Sequence, residues 1–309
     1  PQTKANRAAD VWMQWNFLNP ERFAEWPTVS DFRDHFGKWI RDNGYPQWVG
    51  PRNMAQLRKL ISEDSFIIRR DQCFDLPPRE DVVRYVELNP RTREVYQAMA
   101  EEMVVEIEDG RFAEAPIKLV QSLRLQQITS GFVTDDQGEI KVLGLEKALE
   151  LEYILEDLAI EKDQKIVVVA RWRKDLDSIE RISRTLHLPV WSIRGGVSRK
   201  DSDQNIQKFG SHNGAAVMVL QPSSASLGID LSSASTMVWY SHTPSWVDFS
   251  QCCDRIALSR ISTTFIHLVV KNSVDEVVLD TLAHDGDVGR ALMTNPREFI
   301  HGHPLDLDD

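Results

Sequence analysis

The apolar positions change rhythm at Lys165. From there on, short β-rich runs alternate with amphipathic ones: KIVVVA (165–170), PVWSI (189–193), VMVL (217–220), TMVWYS (236–241) and TFIHLVV (264–270). Such nearly uncharged runs are the pattern of strands buried on both faces. Between them DLDSIERISRTL and RKDSDQNIQKF read as helices, and Asp248, Gln251, Arg255 and Ser259 recur at spacings that put a polar face on a further one. SVDEVVLDTLAH predicts a last helix, with Ser273 at its start and Asp275 and Glu276 in its first turn. Strands and helices alternating at this spacing predict a mostly parallel α/β sheet with right-handed crossovers and helices on both faces.

Before Lys165 the pattern is mainly helical. DVWMQWNFL is a helical apolar run stopped by Asn19-Pro20, and residues 1–70 carry Trp12, Trp15, Trp26, Trp39 and Trp48 as packing material. Asp75–Glu80 (DLPPRE) reads as an extended connector and VVRYVEL as a strand. Helices are predicted from about Arg91 to Glu108 and near Pro116–Thr129, with a hairpin-like turn at Asp135–Glu139 and an amphipathic helix over 144–161. No repeat or low-complexity tract is visible.

Composition adds little until the chain is divided. At 309 residues, 42% hydrophobic and 27% charged, it reads as a soluble globular protein of one large or two smaller units. No membrane-length apolar run or signal peptide is visible. Cys73, Cys252 and Cys253 fit neither a disulfide framework nor a zinc spacing, so a reducing cytosolic compartment is expected. The net charge of −11 speaks against a nucleic-acid partner. Yet residues 165–271 hold 13 Lys and Arg against 8 Asp and Glu, and residues 272–309 hold 2 against 9. The middle of the chain remains able to hold a phosphate backbone.

One stretch predicts a site by itself. Val217–Arg260 reads as strand, small-residue loop SSASLGID, strand, then the polar helix, and loops at the carboxyl ends of parallel strands are where α/β folds place ligands. Gly228, Asp230, Gln251 and Arg255 are its candidate residues.

Taken in order, the blocks resemble the C-terminal half of a Swi/Snf-type ATP-dependent DNA translocase of helicase superfamily two. DVWMQWNFLNPERF with DFRDHFG, LRKLISEDSFIIRR with DLPPRE, and YVELNPRTREVY resemble the segments linking the family's two lobes. LRLQQITSGF, KIVVVARWRKDLDSIERI, LGIDL and QCCDR resemble successive motifs of the second lobe, and SVDEVVLDTL its closing brace helix. The resemblance implies a RecA-like (P-loop NTPase-type) lobe and a site for ATP and Mg²⁺ shared with a first lobe. Neither G-x-x-x-x-G-K-[ST] nor D-E-x-H occurs in the 309 residues, and Pro1 falls about where the first lobe would end. The chain reads as a truncation or split protein, inert as an ATPase alone, whose N-terminal RecA-like lobe is supplied in cis or as a separate chain.

By the same resemblance Gly228 admits the nucleotide phosphates and Asp230 couples nucleotide to nucleic acid or holds the ribose. Gln251 and Arg255 stand for the first polar positions of the last motif, Arg255 as an arginine finger. Leu258 occupies the place of the family's second arginine, so either Arg260 supplies that guanidinium from a shifted backbone or the finger is lost. Arg171, Arg173 and Lys174 after one strand, and Gly196, Ser198 and Arg199 after another, match loops that grip double-stranded DNA. Arg69 and Arg70 match the paired arginines ahead of the linker, and His187, His242 and His267 read as structural. The implied division is a helical linker region at 1–163, the RecA-like lobe at 164–272, brace helices at 273–301 and an acidic tail at 302–309. A compact lobe of this kind suits a bacterial or phage cytoplasm, or a nucleus if the source is eukaryotic. The alternatives are a stand-alone lobe that binds nucleic acid or protein without catalysis, and the lobe of an RNA helicase.

Overall fold

The computed structural model describes residues 8–42, 45–63, 65, 79–108, 115–135, 137–257, 262–284, 288 and 296–302. Two units divide between Asp75 and Leu76. The first holds α1 (Ala8–Leu18), a 3₁₀ turn (Pro20–Phe23), α2 (Val29–Phe36), an antiparallel pair β1 (Gly37–Asp42) and β2 (Tyr45–Pro51), and α3 (Met54–Glu63). Pro20 opens the 3₁₀ turn, and Thr28 with Asp31 closes a reciprocal capping box at the start of α2. Its core is aromatic: Phe23, Trp26, Phe32 and Phe36 are buried with Val11 and Leu57, and the Trp12 indole N–H donates to the Trp26 carbonyl at 2.8 Å. The β1–β2 pair is an addition to the helical reading of this region.

The second unit is built on one six-stranded parallel sheet in the order β3-β10-β9-β6-β8-β7. The strands are β3 (Arg79–Val86), β6 (Lys165–Val169), β7 (Val190–Ile193), β8 (Ala216–Leu220), β9 (Thr236–Trp239) and β10 (Thr263–Val270). A separate small pair, β4 (Phe132–Thr134) and β5 (Ile140–Val142), forms the expected hairpin around Asp135–Glu139.

Period-two alternation sends neighbouring strand residues to opposite faces. Val167, Val169, Met218, Leu220, Met237 and Trp239 pack against α4 (Pro90–Glu108), α5 (Ala115–Thr129), α8 (Arg199–Ser211), α9 (Trp246–Cys253), α10 (Val274–Ala283) and α11 (Pro296–His301). Ile166, Val168, Val217, Val219 and Val238 face α6 (Glu146–Ile154), its π-helical continuation Leu155–Glu161, and α7 (Arg173–Thr185). The sequence places a single amphipathic helix over 144–161; in the structure its last two turns widen to the π form.

Two expectations change. Residues 79–129 do not stand apart from the lobe as the division at 163/164 implies: β3 is an edge strand of the main sheet, and α4 and α5 cover one face. Local pattern carries no sign of this, because the partner of β3 is β10, pairing Arg79 with Thr263. The polar helix is also shorter than its spacing predicts: α9 ends at Cys253, so Arg255 lies in the turn beyond it.

Several polar and charged groups enter this core with partners in place. Lys147 of α6 is buried, and its Nζ donates to Asp275 Oδ2 at 2.6 Å and to the Tyr240 carbonyl at 3.2 Å. Asp275 also accepts from Thr129 Oγ1 at 2.8 Å and from the Val270 amide at 3.2 Å. Along the other edge, Arg79 makes a two-point pair with Asp81 at 2.6 and 2.7 Å. Asp81 meets His267 at 3.1 Å, and His267 meets His242 at 2.9 Å. Burial holds both imidazoles below their ordinary range.

Asp275→Ala leaves the Lys147 ammonium buried without its carboxylate and is expected to cost about 3–5 kcal/mol of stability. Urea unfolding of the variant measures it; a loss below about 1 kcal/mol would mean the pair is dispensable.

Candidate functional site

The carboxyl ends of β6, β8 and β7 are joined by one side chain. Gln221, the first residue after β8, accepts the Gly195 amide at Oε1 (2.9 Å) and donates from Nε2 to the Arg171 carbonyl (3.4 Å). Its own backbone continues the sheet by donating to the Ile193 carbonyl at 2.9 Å. Loops that are far apart in sequence, 171–174 and 194–198, are thereby set side by side. A Cβ on Gly195 would stand 3.8 Å from Arg173 Nη2. Gly196 has φ +95° with open space around it, a conformation that suits glycine at an exposed turn.

The basic candidates on this edge divide by orientation. Arg173 and Arg199 are exposed, and Lys174 is half-buried. Ser198 caps α8: its Oγ accepts the Asp201 amide at 3.1 Å and donates to the Asp201 carboxylate at 2.7 Å. Arg171 is turned inward. Its Nη1 donates to Gln126 Oε1 at 2.9 Å, its guanidinium lies 4.5 Å from the Trp172 ring centroid, and burial lowers it to about 10, still charged at neutral pH.

Beneath these loops lies a buried carboxylate. Asp175, in the first turn of α7, accepts from Ser241 Oγ at 2.7 Å and Ser130 Oγ at 3.1 Å. Burial pushes its carboxyl up to about 7, against the pull of both hydroxyls and of Lys147.

The second group of candidates gathers one step along the sheet. The segment after β8 makes a 3₁₀ turn, Pro222–Leu227, ended by Gly228 at φ +67° and ψ +33°. Among the described residues, its chain neighbours aside, nothing lies within 4 Å of where a Cβ on Gly228 would stand, so its backbone is open to a close approach. Asp230 is exposed and accepts the Ser232 amide at 2.9 Å. Three residues form the bridge to α9: the Leu231 amide donates to the Arg255 carbonyl at 3.0 Å, and the Arg255 amide to the Cys252 carbonyl at 3.0 Å. Gln251 and Arg255 are both half-buried, and Arg255 Nε is buried without a hydrogen-bond partner among the described residues. The structure thus brings Gly228, Asp230 and Arg255 together across one backbone bond, with Gln251 on the adjoining helix. Arg260, Leu258, Arg69 and Arg70 lie outside the described residues.

Gln221, Gln126, Ser241, Asp175 and Lys147 were not among the sequence candidates. Only Asp175 carried a signal there, as an acid in the first turn of a helix otherwise buried on one face. The bonds of the others form between segments with no local relation.

Residues 146–258 match the family model of the helicase conserved C-terminal domain. The chain is 23% identical over 279 residues to an uncharacterized ATP-dependent helicase of Mycoplasma genitalium, covering 88% of this chain and 25% of that protein. It is 26% identical over 286 residues to the DNA repair and recombination protein RAD54 of Saccharomyces cerevisiae, covering 83% and 31%. It spans a third or less of the length of either relative. Among solved structures, the Sulfolobus solfataricus SWI2/SNF2 ATPase core in complex with double-stranded DNA is similar with a TM-score of 0.57, 22% identity, and coverage of 97% of this chain and 65% of that one. Residues 146–258 are thus similar to a helicase conserved C-terminal domain, and the fold is the RecA-like one of the solved structures.

Asp175 gives the site a pH signature. Its folded pKa of about 7 lies above the ordinary 3.8, so the native state binds the extra proton between those values. Its contribution is therefore fully present below about pH 4 and is lost as pH rises through about 7. Asp175→Asn is expected to remove that decline, worth up to about 4 kcal/mol at the limit. Urea midpoints of both proteins from pH 4 to 8 measure it, and parallel curves would contradict it.

Proposed function

We propose that this chain is the second motor lobe of an ATP-dependent translocase on double-stranded DNA, completing an ATP site on a first RecA-like lobe. The observation that carries this reading is the state of Arg255. A guanidinium whose Nε is buried and unpartnered among the described residues, tied through its backbone to the open Gly228–Leu231 turn, suits delivery to the phosphates of a nucleotide held elsewhere. Such an arginine stabilises charge on the transferring phosphoryl group. Gln251 faces the same ligand, Gly228 lets backbone approach it, and Asp230 stands where ribose or a coupling contact is expected. Arg260 is the candidate for a second guanidinium.

Mg²⁺ arrives with the nucleotide in this reading, its protein ligands belonging to the first lobe. These 309 residues contain no phosphate loop, so no ATP turnover is expected from them alone. The similarity to a core solved with double-stranded DNA supports DNA as the track. The loops after β6 and β7 would meet one phosphate backbone with Arg173, Lys174, Arg199, the Gly196 amide and the Ser198 turn, while Arg171 braces them from within.

Two experiments test the reading. With a first lobe joined, DNA-stimulated turnover is expected, and Arg255→Ala should lower it about 10³-fold or more while DNA affinity holds. Normal turnover by the variant would remove Arg255 from the site. Arg173→Ala and Arg199→Ala should each weaken duplex binding and reduce the slope of log affinity on log salt by roughly one. An unchanged slope excludes that arginine from the contact, and equal binding of duplex RNA would reassign the track.

A further inference from the structure

The segment Arg171–Lys174, a short loop and the first residues of α7, is fastened on either side to the same hydroxyl. At its start the Arg171 amide, the second beyond β6, donates to Ser241 Oγ at 2.9 Å. At its finish Ser241 Oγ donates to the carboxylate of Asp175 at 2.7 Å, in the first turn of α7. Ser130 Oγ supplies a second donor to the same Asp175 oxygen at 3.1 Å. All three side chains are buried, with Ser241 at 5% and Asp175 at 2% relative exposure, so water does not compete for these bonds. Between the fastened ends stand Trp172, Arg173 and Lys174, two of them cations.

We propose that Ser241 and Asp175 are positioning residues, which clamp the Arg171–Lys174 segment on either side and so set its cations against a nucleic-acid phosphate backbone. The clamp rests on the reading that this segment meets DNA, but its geometry does not. A serine hydroxyl has one proton and two lone pairs. Ser241 can accept the Arg171 amide while donating to Asp175, and that second bond is stronger when Asp175 is a charged carboxylate. A protonated Asp175 offers only a neutral acceptor oxygen, and the bond from Ser241 loses its charge assistance. The clamp therefore tightens as Asp175 loses its proton.

The groups around that carboxylate set the balance. Ser130 at the end of α5, Ser241 after β9 and the Lys147 ammonium of α6 favour the charged form. The Asp275 carboxylate at the start of α10 and burial oppose it. The Tyr240 phenol, itself raised by burial and by Asp175, stays neutral.

The test uses the 309-residue chain, the variants Ser241→Ala, Ser241→Thr, Asp175→Asn and Asp175→Ala, and a 20-base-pair duplex as probe. Amide exchange at Arg171, corrected for intrinsic rate, is read beside duplex affinity from pH 5.5 to 8.5. Ser241→Ala is expected to speed exchange at Arg171 about fivefold or more, the loss of one net hydrogen bond, and Ser241→Thr to restore protection. Protection at Arg171, and duplex affinity relative to Asp175→Asn, should both rise with pH through a midpoint near 7 in the unsubstituted chain. That midpoint should vanish in Asp175→Asn and Ser241→Ala. Unchanged exchange in Ser241→Ala, or a midpoint that persists in Asp175→Asn, overturns the clamp. If the unsubstituted chain binds no duplex, the DNA reading fails while the exchange arm still decides the clamp. If Asp175→Ala does not fold, the serine pair decides it.

Discussion

An ammonium group almost wholly withdrawn from water is the constraint around which the larger unit is arranged. Lys147 and Asp275 lie 2.6 Å apart at 1% and 6% side-chain exposure, and neither tolerates that burial unless the other is in place. Lys147 comes from the helix that leads into the sheet, Asp275 from the first turn of the helix that leaves it. Their remaining bonds reach Thr129, Tyr240 and Val270, so five segments share one electrostatic commitment. Removing a partner therefore disturbs the ends of the same strands that present the candidate site. Here stability and positioning draw on the same atoms.

The fold was legible in sequence wherever burial is periodic. Strands such as 165–169 and 216–220 are covered on both faces, so every position is apolar and the run stands out. Helices with one wet face, such as Arg173–Thr185, show their period just as plainly. The edge strand 79–86 was recognised as a strand but not as part of this sheet. Its exposed positions look like those of any surface ribbon, and its partner is remote.

The candidate site divides in the same way. Gly228 and Arg255 could be singled out because their chemistry is carried by residue type: one needs no Cβ, the other a fixed cation. Gln221, Ser241 and Gln126 could not, because a glutamine or serine acquires its role only from what stands opposite it. Arg171 shows the converse. Its residue type suggested an outward contact, and its nearest acceptor, Gln126, turned it inward. The helix reading also carried the polar face past Cys253, where the chain turns so that the Arg255 carbonyl can receive Leu231.

The pairing of β3 with β10 bears on how such a unit is made. β10 is flanked by β9 on one side and on the other by a strand emitted long before it. On a ribosome, β3 must wait without its sheet partner until nearly all of the sheet has been synthesised, and loop closure over that span is slow. Its charged, exposed residues, Arg79, Glu80 and Arg84 among them, keep the waiting strand soluble and poorly suited to pairing with another chain. The polar character that disguised β3 as a surface ribbon is thus a safeguard during synthesis: the strand stays unattractive to strangers until its own partner arrives.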